Sequence, residues 1–319
     1  MRKIILFTTL ALFLGSCAKD NTPQTPQTDH SSDLLTRSIN DIFTVTDIGP
    51  YDMYNNKTLF HSIYSDSLGN LYCGDNDNFL RYYDATTGTW NQAYLDEYGN
   101  AVGQTYYTGS NIDAIAIDGN GNWTFIWDVE GVFKVTPNFN STVDLTSFFP
   151  GRPFGGLCIA PNGNMFVCID SLSNSYDYYT EKIYRLSPNG ILTLIADVEF
   201  TASQRTFYST NILAKASGAN LYLFAGPLFY SKINTNTKEV TNYNPGVPIK
   251  AYAAAINKAN LYGISGNRVL ELRPNGNHVV VGLIPNSLDF ASISTFCIND
   301  DATLFFVGND DGLFKLTLP

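Results

Sequence analysis

Three residues are placed where a small molecule could be transformed: His61, Asp113 and Asn211. Each opens one copy of a recurring apolar strand, and an imidazole among oxygen side chains can act as general acid or base. Asp113 and Asn211 are also oxygen donors of the kind a divalent cation such as calcium accepts. His61 is the one histidine so placed, since His30 falls in a polar leader and His278 in an outer strand. No second titratable partner follows from spacing, so a polar rim residue is its alternative role. A second set suits holding rather than turnover: Tyr107, Tyr178 and Tyr208 with Asp128, Arg152, Asp170 and Arg205, all in the longer connections. Rings stack on a sugar or an extended peptide, and the charged groups supply directional hydrogen bonds. Packing a loop onto its scaffold is the alternative for any single ring; for the whole face, binding is favoured. There is no Gly-x-Ser-x-Gly, Walker loop or His-Glu-x-x-His, so the sequence gives no sign of those chemistries.

Positioning these residues falls to a repeat. Gly69-Asn70-Leu71-Tyr72, Gly121-Asn122-Trp123-Thr124, Gly163-Asn164-Met165-Phe166, Ala219-Asn220-Leu221-Tyr222, Ala259-Asn260-Leu261-Tyr262 and Ala302-Thr303-Leu304-Phe305 line up at steps of 40 to 56 residues. That spacing matches four-stranded propeller blades and is too long for the coils of a β-helix. Six residues before each Asn or Thr stand Tyr64, Ala116, Cys158, Ala214, Ala254 and Cys297, mostly small. One residue earlier stand Ile63, Ile115, Leu157, Leu213, Ala253 and Phe296. Apolar residues on both faces of a first strand fit a blade sandwiched between two others. The predicted fold is all-β: six antiparallel blades of four strands. The last copy stops after its third strand, and Ile42 to Ile48 supplies the missing one, which closes the ring and removes its open edges. Asp75-Asn76-Asp77-Asn78 and Asp118-Gly119-Asn120-Gly121-Asn122 have calcium-loop composition without the spacing or terminal Glu, and read as polar turns.

The chain divides at residues 1–16, 17–38 and 39–319. Met1-Arg2-Lys3, the apolar run Ile4 to Leu14 and Leu14-Gly15-Ser16-Cys17 form an export signal too short to span a bilayer. These residues resemble the lipobox of bacterial lipoproteins, which implies cleavage before Cys17 and lipidation there. The stretch from Ala18 to Ser38, rich in Thr, Pro, Gln and Ser, reads as a flexible tether. Lys19-Asp20 resembles the export signals of Bacteroidota surface lipoproteins, so a surface or a periplasm-facing outer-membrane location is expected. With 19 basic and 29 acidic side chains the formal charge is −10, which argues against nucleic acid as a partner. Cys73, Cys158, Cys168 and Cys297 are expected as buried thiols, two of them in the small inner-strand column.

Over residues 40–319 the Gly-Asn-apolar-aromatic turns resemble the six-bladed propellers of the NHL and SMP-30/gluconolactonase-like group. Gluconolactonase-like members hold a divalent cation in the channel with Glu, Asn and Asp; here Asp113 and Asn211 match in kind, and no Glu does. Lyases of the streptogramin type imply a His such as His61. The expectation is a monomeric binding or scaffolding module without a cofactor, taking a carbohydrate, peptide or protein ligand. A metal- or His-dependent hydrolase or lyase is the alternative.

Overall fold

The computed structural model describes residues 41–49, 60–75, 79–95, 101–102, 112–127, 131–136, 141–151, 153–171, 178–201, 213–273, 277–289, 292–309 and 312–319. After a leading strand β1 (Thr44–Asp47), blade one runs through β2 (Phe60–Ser65), β3 (Leu71–Asp75), β4 (Phe79–Asp84) and β5 (Thr89–Leu95), with a short added edge β6 (Ala101–Val102). Blade two is β7 (Ile112–Ile117), β8 (Trp123–Trp127), β9 (Gly131–Val135) and β10 (Thr142–Asp144). Blade three is β11 (Pro153–Ile159), β12 (Met165–Ser171), β13 (Tyr178–Leu186) and β14 (Leu192–Thr201). Blade four is β15 (Leu213–Lys215), β16 (Asn220–Gly226), β17 (Phe229–Asn234) and β18 (Val240–Tyr243). Blade five is β19 (Ala251–Ala254), β20 (Leu261–Ser265), β21 (Arg268–Leu272) and β22 (His278–Leu283). Blade six is β23 (Thr295–Ile298), β24 (Phe305–Asn309), β25 (Gly312–Thr317) and β1. Among the described residues the one helical element is a 3-10 turn at Thr146–Phe148, and no helix is long and apolar enough to cross a membrane.

The ring closes as the repeat implied. Antiparallel pairing sets Val45 opposite Leu316, so the first strand completes the last blade. The residues just before it do something else: Ile42 forms a parallel bridge with Leu283, Phe43 N–H donates to Leu283 O at 2.8 Å and Leu283 N–H donates to Asp41 O at 2.8 Å. The segment expected as one strand is thus shared between blades five and six.

Inner strands touch in cyclic order, β2 with β7, then β11, β15, β19, β23 and back to β2. Because blades stand radially, their side chains face neighbouring blades. Each inner strand turns a bulky residue toward the preceding blade, and all but the first turn a small one toward the next. Leu157 meets Ala116, Leu213 meets Cys158, Tyr252 meets Ala214, Phe296 meets Ala253 and Ile63 meets Cys297. Large against small suits a wedge-shaped interface, because interiors tolerate few voids. Blade five requires a correction: the partner of Leu261 is Ala254, as Ser65 is of Leu71, so Ala253 and not Ala254 occupies the small column. The connection from first to second strand is one residue longer in blades five and six, which spacing from the turn could not show.

The recurring Gly-Asn is explained by that connection. Asp66 Oδ1 accepts from the N–H groups of Leu68 and Asn70 at 3.0 and 2.9 Å, and Asp118 holds Asn120 and Asn122 in the same way at 2.9 and 3.0 Å. The residue before the Asn must then enter the left-handed region, where Gly69 and Gly121 have φ of 84° and 77°. Asp118 is therefore a turn cap, as its polar-turn reading implied. The four described cysteines are buried and none is in a disulfide.

Candidate functional site: the central channel

Along the C-terminal halves of the six inner strands runs a channel cavity of about 80 Å³. Its wall takes residues from every blade, among them Tyr64, Cys158, Lys215, Tyr252, Cys297 and Asp300. The inner strands are sheet edges, so unpaired backbone groups border this space and must be met by water or another polar occupant.

Tyr64 is the exception in the small column. It packs against Ile115 at the interface of blades one and two, and its hydroxyl donates to Asp300 Oδ1 at 3.3 Å across to blade six. Tyr72, 6.0 Å from Tyr64 between ring centres, donates to Asp66 Oδ2 at 3.4 Å. Trp123 and Tyr82 extend the cluster at 5.2 and 5.1 Å from Tyr72. Burial, then the carboxylates of Asp66 and Asp301, push the Asp300 pKa up to about 6 despite the bond from Tyr64. Burial likewise raises Tyr64 and Tyr72 well above the usual phenol range.

On blade four, Lys215 is buried with its Nζ donating to the carbonyl oxygens of Ala216 and Gly218, the latter at 2.7 Å. Desolvation lowers its pKa. Burial pushes the Cys158 thiol up to about 12, and Cys297 is raised as well by burial alone. Both thiols are protonated near neutrality and are poor nucleophiles.

The sequence reading had passed over Lys215 and Asp300. A signal was present for the first: among Ser65, Ile117, Ile159, Lys215, Ala254 and Ile298, which occupy one register position, Lys215 alone is charged. Asp300 sits in a turn, where an aspartate attracts no notice.

Of the residues singled out for chemistry, His61 and Asp113 lie one place into β2 and β7, at the same end of two touching strands. Each is the extra residue of a β-bulge: Phe60 and Ser62 oppose Asp75 and Gly74, and Ile112 and Ala114 oppose Trp127 and Ile126. Bulges re-aim a side chain and recur beside active sites. Asp113 is half-buried. Asn211 lies outside the described residues. Among the described residues no three His, Cys, Asp or Glu side chains converge, and the corresponding strand starts on blades three, five and six carry Gly155, Ala251 and Ser294.

Of the aromatic and charged loop set, Asp170 stands in β12 directly opposite Glu181, and Tyr178 opens β13 opposite Thr201. Glu181, which spacing did not single out, is buried and accepts from the Cys168 thiol at 3.2 Å. Tyr107, Asp128, Arg152, Arg205 and Tyr208 lie outside the described residues, as does Cys17. Phe149 is buried in the interface of blades two and three, whereas Phe148 is 42% exposed, so one of that loop pair serves packing.

No protein-family model and no curated protein sequence matches the chain. Solved structures do. Virginiamycin B lyase from Staphylococcus aureus superposes with a TM-score of 0.57 at 14% identity, covering 87% of this chain and 100% of that one. A gluconolactonase from Xanthomonas campestris gives 0.56 at 13% identity, covering 87% and 90%. The extracellular domain of a candidate one component system from B. thetaiotaomicron gives 0.51 at 12% identity, covering 86% of this chain and 40% of that one. These likenesses establish the six-bladed propeller, a fold that serves both enzymes and binding modules.

Proposed function

We propose that this chain is a lipid-anchored propeller on a flexible tether, a non-catalytic binding or scaffolding module of the bacterial envelope with its ligand on the loop face. The observation that supports this is the size of the channel. The inner-strand side chains are committed to blade-to-blade packing, and about 80 Å³ remains between them. That space suits waters or an ion; by comparison, an engineered apolar cavity of ~150 Å³ takes benzene. A carbohydrate, peptide or protein is then held on the outside, where the loop aromatics and Arg152, Arg205, Asp128 and Asp170 offer stacking and directional bonds.

The test is a glycan, peptide and calcium binding screen on the mature chain carrying Cys17→Ser, which stays soluble. A ligand whose affinity falls tenfold or more in Tyr178→Ala, Arg152→Ala or Tyr208→Ala supports the loop face; one indifferent to all three rejects it. The second reading is a lyase or lactonase at the mouth of the central channel, favoured by the twin bulges at His61 and Asp113. Replacing His61, Asp113 and Asn211 together by Ala separates the two. Lost turnover with unchanged ligand binding makes the protein an enzyme.

A further inference from the structure

We propose that the central channel is an anion site, in which a small monovalent anion of the halide or short-carboxylate class sits against the Lys215 ammonium. The basis is a buried cation without a counter-charge. Lys215 ends β15, is 9% exposed and lines the channel. Two of its three donors go to the carbonyls of Ala216 and Gly218, which leaves one for the channel. Among the described residues it makes no ion pair.

The acidic group beside it is the Cys158 thiol, whose pKa burial pushes up to about 12, so it stays neutral. Among the described residues Asp300 is the one carboxylate on the channel lining. It belongs to blade six, two blades round from β15, and its polar contacts are Tyr64 and Ser67. An ammonium taken out of water without an opposite charge must lose its proton or capture an anion. The channel favours capture, because β15 has one edge without a strand neighbour and its free N–H groups add donors beside the ammonium. One remaining ammonium donor beside a cavity of about 80 Å³ suits a compact monovalent anion such as chloride, bromide, formate or acetate. This inference stands apart from the loop-face reading and from whether that reading survives.

Bromide is the probe. Crystals of the Cys17→Ser chain soaked in bromide are expected to show an anomalous peak within hydrogen-bonding reach of Lys215 Nζ. In solution, a tenfold rise in bromide is expected to raise the unfolding midpoint of that chain more than it raises that of the same chain with Lys215→Met, which keeps the volume and removes the charge. The comparison between the two proteins cancels general salt effects. A channel holding only water in bromide-soaked crystals overturns the proposal, including in the case where Lys215→Met does not fold. Parallel salt responses of two folded proteins overturn it as well.

Discussion

At the scale of single residues, Asp300 and Ala302 depart most from their surroundings. Asp300 keeps its proton to about 6 in the folded chain, because burial and the carboxylates of Asp66 and Asp301 disfavour its charge, against the ordinary 3.8. Between those values the folded state holds a proton that the unfolded state has lost, so stability falls as pH rises from about 4 to 6 and this contribution stays unfavourable above. Asp300→Asn, which can still accept from Tyr64, is expected to gain about 1–2 kcal/mol over the native chain at pH 7 and little at pH 4, after allowance for solvent screening. Urea unfolding at the two pH values measures this; an equal gain at both contradicts it. Ala302 holds φ at 56° where the equivalent Gly69 and Gly121 sit at 84° and 77°. A Cβ in the left-handed region is strained, so Ala302→Gly is expected to stabilise by about 1 kcal/mol, read as a higher thermal midpoint. At this scale, residue types were legible in the sequence and their aim was not. His61 and Asp113 were recognised as capable of chemistry, yet the bulges that hold them depend on pairing counts across two strands.

At the scale of elements, turn motifs and strand alternation revealed the blades because the copies share a tight turn into an apolar strand, capped in three of them by Asp66, Asp118 and Asn299. What escaped was register where the connection lengthens, as with Ala253 and Ala254, since one inserted residue exchanges the faces of a strand. The split role of the leading segment escaped for another reason: Asp41 to Phe43 joins blade five by two backbone hydrogen bonds that leave no mark on side-chain pattern. Phe43 is 2% exposed and meets Phe305 edge-on at 5.5 Å. It also fills the space above Gly282, where a Cβ would come within 2.7 Å of Phe43 and 2.8 Å of Leu318. Phe43→Ala is therefore expected to cost about 3–5 kcal/mol, and Gly282→Ala about 1–3 kcal/mol by overcrowding the same joint. If the two share one joint, chemical denaturation of the double variant gives less than the sum of the singles; strict additivity argues against the shared joint.

At the scale of the whole molecule, closure matters more than any one blade. Six interfaces of similar build carry the core, and five of them are continuous in sequence order. The sixth depends on a strand from the far end of the chain. Without it, the Thr317 to Phe314 edge of β25, now paired with Thr44 to Asp47, would present open donors and acceptors, and Leu283 would lose its two backbone bonds to Asp41 and Phe43. An edge so exposed is a template for another chain. Deleting residues 41–48 from the Cys17→Ser chain is therefore expected to convert the expected monomer into oligomers in size-exclusion chromatography and to lower its thermal midpoint by several degrees. A synthetic peptide spanning residues 41–48, added in excess, is expected to restore both by occupying the two vacated edges, since a ligand that binds only the folded state stabilises it by mass action. A deletion variant that stays monomeric at the native midpoint would show that the other five interfaces hold the ring without a clasp. Rescue by the shorter peptide 44–48, lacking the residues that reach Leu283, would assign the closure to blade six alone.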